Sequence, residues 1–243
     1  MPGLTAGIGR SGSGGRRVTC EGGFGLDGTK VGFVAAGCSS CSIGHYGHGA
    51  LARLPAAARR RQLLDSALEV FAARGFHGAS MNDVAEAAGV TKPVLYQHFD
   101  SKRQLFIELL EDVGSRLGQL IAQATMSVEG PREKVELGFA AYFRWIDANR
   151  AAFSLLFGGG VRLDPEFADA VHQVESFLAE AIATLLQADI DDEHRRTLAH
   201  GIVGLAEGTG RHWIADELDL DPDVLGRQVA DLAYAGLRGV HRI

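Results

Sequence analysis

Residues 79–103, ASMNDVAEAAGVTKPVLYQHFDSKR, constrain the fold of this 243-residue chain more tightly than any other stretch. Ser80 precedes Met81-Asn82-Asp83, so its hydroxyl is placed to cap a helix while the Asp83 carboxylate reaches back, a capping-box arrangement. Val84, Ala85 and Ala88 then fall on one face at helical spacing. Gly89 follows, where the chain must turn through a left-handed conformation that glycine enters at little cost. Thr91 is expected to cap a second helix, with Pro93 in its first turn, where a missing N–H goes unnoticed. Leu95 and Phe99, four apart, point inward. Two short helices joined this way expose the start of the second. Thr91, Lys92, Pro93, Val94 and Tyr96 are therefore presented as a DNA major groove requires.

The surrounding residues extend the pattern. Arg61-x-x-Leu64, Ala67, Phe71, Gly75-Phe76, Ser80, Val84-Ala85, Ala88-Gly89-Val90, Leu95-Tyr96, His98-Phe99, Lys102 and Leu105-Phe106 together resemble the tetracycline-repressor (TetR/AcrR) family of bacterial transcription regulators. The resemblance is carried in motif by residues 58–106 and in organisation by 55–243. It implies an all-α fold: a three-helix DNA-binding head with a helix-turn-helix, then a six-helix body for ligand binding and dimerisation. It also implies roles for single residues. Thr91 and Lys92 are expected at base edges, with Pro93 and Val94 beside them. Tyr96 is expected to donate to a backbone phosphate, with a half-buried core aromatic as the plainer alternative. His98 is open between a phosphate contact and a helix-end cap. Ser80 and neighbouring N–H groups offer a phosphate site, Lys102 points a charge at the duplex, and Arg61 lies with Arg59 and Arg60 beside it. Pro93 stands where the family usually has glycine, serine or alanine, and Gln97 where it often has an aromatic residue or histidine.

The net charge of −6 is unusual for a DNA-binding protein until it is divided along the chain. Residues 1–103 carry 12 Lys and Arg against 7 Asp and Glu, whereas residues 104–243 carry 12 against 23. One end attracts phosphate and the other repels it, which orients the molecule as it approaches DNA. Fifteen of the 32 glycines fall within residues 1–50. Residues 1–54 are thus expected to form a disordered extension that buries too little surface to offset its ordering entropy. A flexible tail and a basic arm bearing Arg10, Arg16 and Arg17 remain alternatives for it. Cys38, Cys41, His45 and His48 offer four metal ligands within eleven residues. Zinc sites usually need a longer loop before the second pair, so reduced cysteines and no metal are expected. No cofactor is implied.

From Pro55 onward the pattern is continuously helical. A first helix over 56–74 ends at Gly75. A fourth, 101–126, is opened by Ser101 and Gln104 as a capping box, with Glu108, Glu111 and Asp112 toward solvent. Later helices begin near Pro131, Ala151, Asp164, Asp191 and Pro222. The last two carry Gly201, Gly204 and Gly208, answered by Val229, Leu232, Ala233, Gly236 and Val240. They suit a four-helix homodimer interface. A dimer implies two heads and a near-palindromic double-stranded operator. The resemblance places a small-molecule effector pocket among helices four to eight. Its candidates are Phe139, Phe143, Arg144, Trp145, Phe157, His172, Phe177 and His200, and the aromatic supply favours an apolar effector.

The sequence thus divides into an extension (1–54), a DNA-binding domain (55–100) and an effector and dimerisation domain (101–243). The expected function is a cytoplasmic repressor released by its ligand. Two alternatives remain: a helical DNA-associated protein without an effector, and an all-helical enzyme. Against the enzyme, the body carries no H-x-x-x-H pair with an intervening acid and no nucleophile motif, so no catalytic residue is expected. No run of 18 apolar residues occurs, so no membrane span is expected.

Overall fold

The computed structural model describes residues 55–186 and 189–240, so the Cys38, Cys41, His45 and His48 cluster and the extension lie outside the described residues. The first helix, α1 (Ala56–Gly78), buries Leu63, Leu64, Ala67 and Phe71. Its regular path breaks at Gly75, where φ is +67°, a left-handed value that costs glycine little. The break swings Phe76 onto the next layer. Its ring lies 5.1 Å from Phe106 and 4.7 Å from Phe167, centroid to centroid.

Helices α2 (Met81–Ala87) and α3 (Lys92–Tyr96) are joined through Gly89, at φ +64°. Val84, Leu95 and Phe99, each no more than 1% exposed, close the head against α1. Helix α4 (Lys102–Thr125) leaves the head and runs into the body, about 36 Å at the α-helical rise. The hydroxyl of Ser101 accepts from the Gln104 N–H at 3.1 Å. The return arm of the expected capping box differs: Gln104 Oε1 accepts from the Asp100 N–H at 2.7 Å instead of from Ser101. Two acids expected in solvent are also engaged. Glu108 pairs with Arg60, and Asp112 with Arg61 and Arg116, so these side chains join α4 to α1.

The body comprises α5 (Pro131–Ala148), α6 (Arg150–Phe157), a single 3-10 turn (Val161–Leu163), α7 (Pro165–Leu185), α8 (Asp192–Ala215) and α9 (Pro222–Arg238). Pro131, Pro165 and Pro222 each stand in a first turn, where the absent N–H has no acceptor to lose. One hydrophobic core runs from the head into the body without interruption. Helix α9 lies chiefly along α5 and scarcely touches α8. Val229 and Ala233 are therefore buried inside their own subunit, while Leu232 is 63% exposed and Gly236 faces open space. Among the described residues no helix is long and apolar enough to cross a membrane.

Helices α4 and α7 cross closely because Gly114 has no side chain. A Cβ there would lie 2.3 Å from Val174 Cγ1. Gly114→Ala forces the helices apart or Val174 off its rotamer and is expected to cost about 1–3 kcal/mol. In urea unfolding the midpoint falls while the slope is retained. An unchanged midpoint contradicts this packing.

Candidate nucleic-acid interface and effector cavity

The exposed edge of the head is built from short-range interactions. Leu95 and Phe99 anchor α3 from below, which leaves Thr91, Lys92, Pro93 and Tyr96 outward and Val94 and His98 half-buried. Among the described residues Lys92 has no ion-pair partner, and the Tyr96 side chain reaches solvent. Thr91 occupies the N-cap position, yet its hydroxyl makes no capping bond, contrary to expectation. The hydroxyl is thereby left available to another partner. Pro93 falls at the second helical position, where one backbone donor is missing from this face.

Helix α2 is capped as expected. The Asp83 N–H donates to Ser80 Oγ at 3.2 Å, and the Ser80 N–H donates to Asp83 Oδ2 at 2.8 Å. The Ser80 hydroxyl donates to the same carboxylate at 2.6 Å, and Arg74 reaches Asp83 Oδ1 at 2.6 Å. Both donors of Ser80 are thus spent inside the protein, so the phosphate site expected of it has only its neighbours' N–H groups to offer. These bonds, those from Ser80 foremost, hold the Asp83 carboxyl below its ordinary value of 3.8.

Two expected phosphate ligands are placed differently. The Lys102 ammonium donates to the carbonyls of Phe76 at 2.8 Å and Ala79 at 2.9 Å, and lies 4.4 Å from the Phe76 ring centroid. It staples the bent end of α1 to the start of α2 instead of pointing outward. Arg61 donates to Asp112 at 3.0 Å, and Arg60 pairs with Glu108 and stacks 5.0 Å from the Phe99 ring. Of the three arginines, Arg59 is the one without an acidic partner among the described residues. It donates to Gln62, which in turn donates to the carbonyl of Ala88 and buttresses the turn.

In the body, α4, α5, α7 and α8 enclose a cavity of about 90 Å³. Its walls are mainly aliphatic and aromatic, including Ile121, Val135, Phe139, Phe157, Leu178 and Ile202, and it extends toward the more exposed Pro131 and Lys134. Of the eight residues expected to form the pocket, Phe139 and Phe157 line it. Phe143 instead packs beside Trp213, centroids 6.1 Å apart, and Trp145 is buried away from the cavity. Arg144 is at the surface, 2.5 Å from Asp223, and His172 lies 3.9 Å from Glu175. Phe177 lies over Gly118 with half its surface in solvent, and His200 is exposed. These positions follow helical phase: on α5 the turn that points Phe139 and Tyr142 at the cavity turns Arg144 away.

The polar part of the lining was missed from sequence. Glu207, 7% exposed, accepts from Arg162 at 2.8 Å and pairs with Arg211 at 3.0 Å. Burial, ahead of its neighbours' charges, raises its pKa. An acid four residues before an arginine on a helix reads as a surface pair. The signal that could have found it is its place on the buried stripe of Val203, Ala206 and Gly210. Tyr142, 5% exposed, also lines the cavity, and its hydroxyl has no hydrogen-bond partner.

From this end a short path returns to the head. Arg162 also donates to Glu175 at 2.5 Å. Two residues on, Asp164 caps α7 and receives both guanidinium nitrogens of Arg103, at 3.0 and 2.9 Å. Arg103 holds that carboxyl below its usual range. Glu166 adds a third bond to Arg103 at 2.9 Å, and Phe167 packs on Phe76 and Phe106. A larger cleft, about 660 Å³, lies beside this junction between the Gly75 bend and Phe167.

A helix-turn-helix with an outward α3, set on a helical body that holds an apolar cavity, defines a class: the one-component DNA-binding regulators. Residues 63–109 match the family described as bacterial regulatory proteins, tetR family, and residues 131–236 match the tetracyclin repressor-like C-terminal domain. The transcriptional activator FasR of Mycolicibacterium smegmatis is 32% identical over 190 residues, covering 77% of this chain and 87% of that protein. The repressor KstR2 of the same organism is 29% identical over 184 residues, covering 75% of this chain and 79% of its own. A TetR-like regulator from Rhodococcus superposes with a TM-score of 0.61 at 29% identity, over 77% of this chain and all of that one. The chain belongs to the tetR family of bacterial regulatory proteins and is a DNA-binding transcriptional regulator.

The two charged anchors of the head lead to separate outcomes. Because the folded Asp83 pKa is depressed, its stabilisation is present above pH 3.8 and lost as pH falls below it. The melting temperature of the native protein should thus fall more steeply below that pH than that of Asp83→Asn. Parallel curves would contradict the cap's role. Lys102→Ala, which removes two charge-assisted bonds, should cost about 1–3 kcal/mol of stability. It should leave the salt slope of DNA binding unchanged, whereas loss of a phosphate contact lowers that slope by about one; a lowered slope with full stability contradicts the staple.

Proposed function

We propose that this regulator is a cytoplasmic repressor that binds a near-palindromic operator as a homodimer and is released by a small, largely apolar effector. The observation that carries the reading is the continuity between cavity and head. A single segment, residues 161–167, supplies Arg162 to the polar end of the cavity, Asp164 to Arg103, and Phe167 to Phe76. An effector that fits the cavity better when this segment is displaced shifts the population toward heads that no longer match the operator. Binding is the whole of the activity in this reading, with no chemical step.

At the DNA, Lys92 and Thr91 read base edges, Val94 and Pro93 pack against the groove wall, and Tyr96 and His98 hold phosphates. Arg59 takes the phosphate role first expected of Arg61. In fluorescence-anisotropy titrations against operator DNA from the neighbouring promoter, Tyr96→Phe should weaken binding to every sequence alike. Lys92→Ala should relax the preference at one base position by about 1–3 kcal/mol. If both variants retain full affinity and sequence preference, this assignment of the head is wrong.

The dimer forms through α8 and α9, supported by a stripe with nothing against it. Within the subunit, a Cβ at Gly201, Gly204 or Gly208 would meet no atom within 4 Å. Leu232 and Val224 are exposed on α9. Small residues at i, i+3 and i+7 allow a partner helix to approach closely. Gly204→Leu has room within the subunit and improves helix propensity by up to about 1 kcal/mol. It should therefore keep the fold, as judged by circular dichroism, yet elute as a monomer with operator affinity reduced at least about tenfold. A dimer of unchanged affinity overturns this interface.

A further inference from the structure

Tyr142 is buried in an apolar wall, yet its hydroxyl has no partner, an uncommon state for a polar atom in a core. Glu207 lines the same cavity, and its charge bears on the tyrosine. Both guanidinium contacts to Glu207, from Arg162 and Arg211, end on Oε1. The rest of the wall near them is Phe139, Phe157, Val203 and Ala206. An unsatisfied donor and a buried acceptor therefore line one cavity whose remaining walls are mainly apolar.

Resting on the cavity reading above, we infer that the effector is an apolar molecule whose inner end carries a neutral hydroxyl, which accepts from Tyr142 and donates to Glu207. The surrounding charges select against the alternatives. Arg162 already meets Glu175 and Glu207, and Arg211 meets Glu207, so both guanidinium groups at this end have carboxylate partners. A carboxylate or phosphate brought to this end has to take a guanidinium from its carboxylate partner, and the other cation of the lining, Lys134, is on the exposed side of the cavity. An ammonium group has to compete with two guanidinium groups for Glu207. A hydrocarbon end leaves the Tyr142 donor unpaired, the same deficit as in the empty protein. A hydroxyl, both donor and acceptor, satisfies each group without changing the charge.

The test uses the full chain with 1-octanol, octane and octanoate as probes, measured by isothermal titration and thermal shift. Comparing each probe between native protein and Tyr142→Phe cancels the differing cost of moving the probes out of water. Tyr142→Phe should weaken 1-octanol about tenfold and leave octane unchanged or tighter. In Lys134→Met, which removes the cation on the exposed side, octanoate should bind more weakly than 1-octanol. Without ligand, Tyr142→Phe should melt at or above the native temperature, because an unpaired hydroxyl has been removed. Glu207→Gln, which keeps the shape, should bring octanoate closer to 1-octanol in affinity. If Tyr142→Phe weakens octane and 1-octanol equally, or neither, the hydroxyl site is wrong and the apolar cavity stands. If no probe binds the native protein, the cavity reading fails and this inference with it.

Discussion

The rings of Phe71, Phe76, Phe106 and Phe167 form the joint on which the molecule depends. Phe76 can reach it because Gly75 takes a left-handed turn at the end of α1. Phe106 comes from α4 and Phe167 from α7, with centroids 4.7 Å apart. The guanidinium of Arg103 covers Phe167 at 4.7 Å, and the Lys102 ammonium covers Phe76. Two adjacent cations at the start of α4 thus seal the aromatic joint while their hydrogen bonds tie it to backbone carbonyls and to the α7 cap. The head cannot rotate on the body without disturbing this cluster. Close-packed side chains of this kind shift between discrete arrangements and do not yield gradually.

The ion pairs around the joint change the meaning of the charge distribution. Counted along the chain, the first 103 residues are positive and the remainder strongly negative. In the folded protein, Arg60 and Arg61 are turned to acids of α4, and Arg74 to Asp83. Part of the apparent DNA-seeking charge is therefore structural. Among the described residues of the head, Lys92 and Arg59 are the Lys and Arg side chains with neither an acidic partner nor the carbonyl contacts of Lys102.

Local rules made much of the fold legible. Ser80 and Asp83 form both arms of their box, Gly75 and Gly89 take positive φ, and the first-turn prolines mark helix starts. Each of these depends on a few neighbouring residues, so the information is in the sequence. Lys102, Arg61 and the cavity wall were not legible in the same way. A lysine at a helix start has the same local signature whether it reaches outward or caps carbonyls 23 and 26 residues earlier. Arg144, His172 and His200 were chosen by residue type, but helical phase and crossing angle decide which face meets the cavity. Glu207 was overlooked because its charge outweighed its position on an apolar stripe. Gly226 brings α9 against α5, where a Cβ would lie 3.2 Å from Ala140 Cα, so Val229 and Ala233 pack within the subunit and the sequence pattern alone does not separate them from the exposed Leu232.

In the proposed mechanism, filling the cavity is felt at the head through residues 161–167. Hydrogen exchange followed by mass spectrometry, on the full chain with and without 1-octanol, tests it most directly. In the native protein, protection should change at residues 161–167 and also at 76–83, around the Gly75 bend and the α2 cap. In Arg103→Ala the change at 161–163 should persist while that at 76–83 disappears. A native protein whose cavity peptides respond to the probe while residues 76–83 do not would contradict the account.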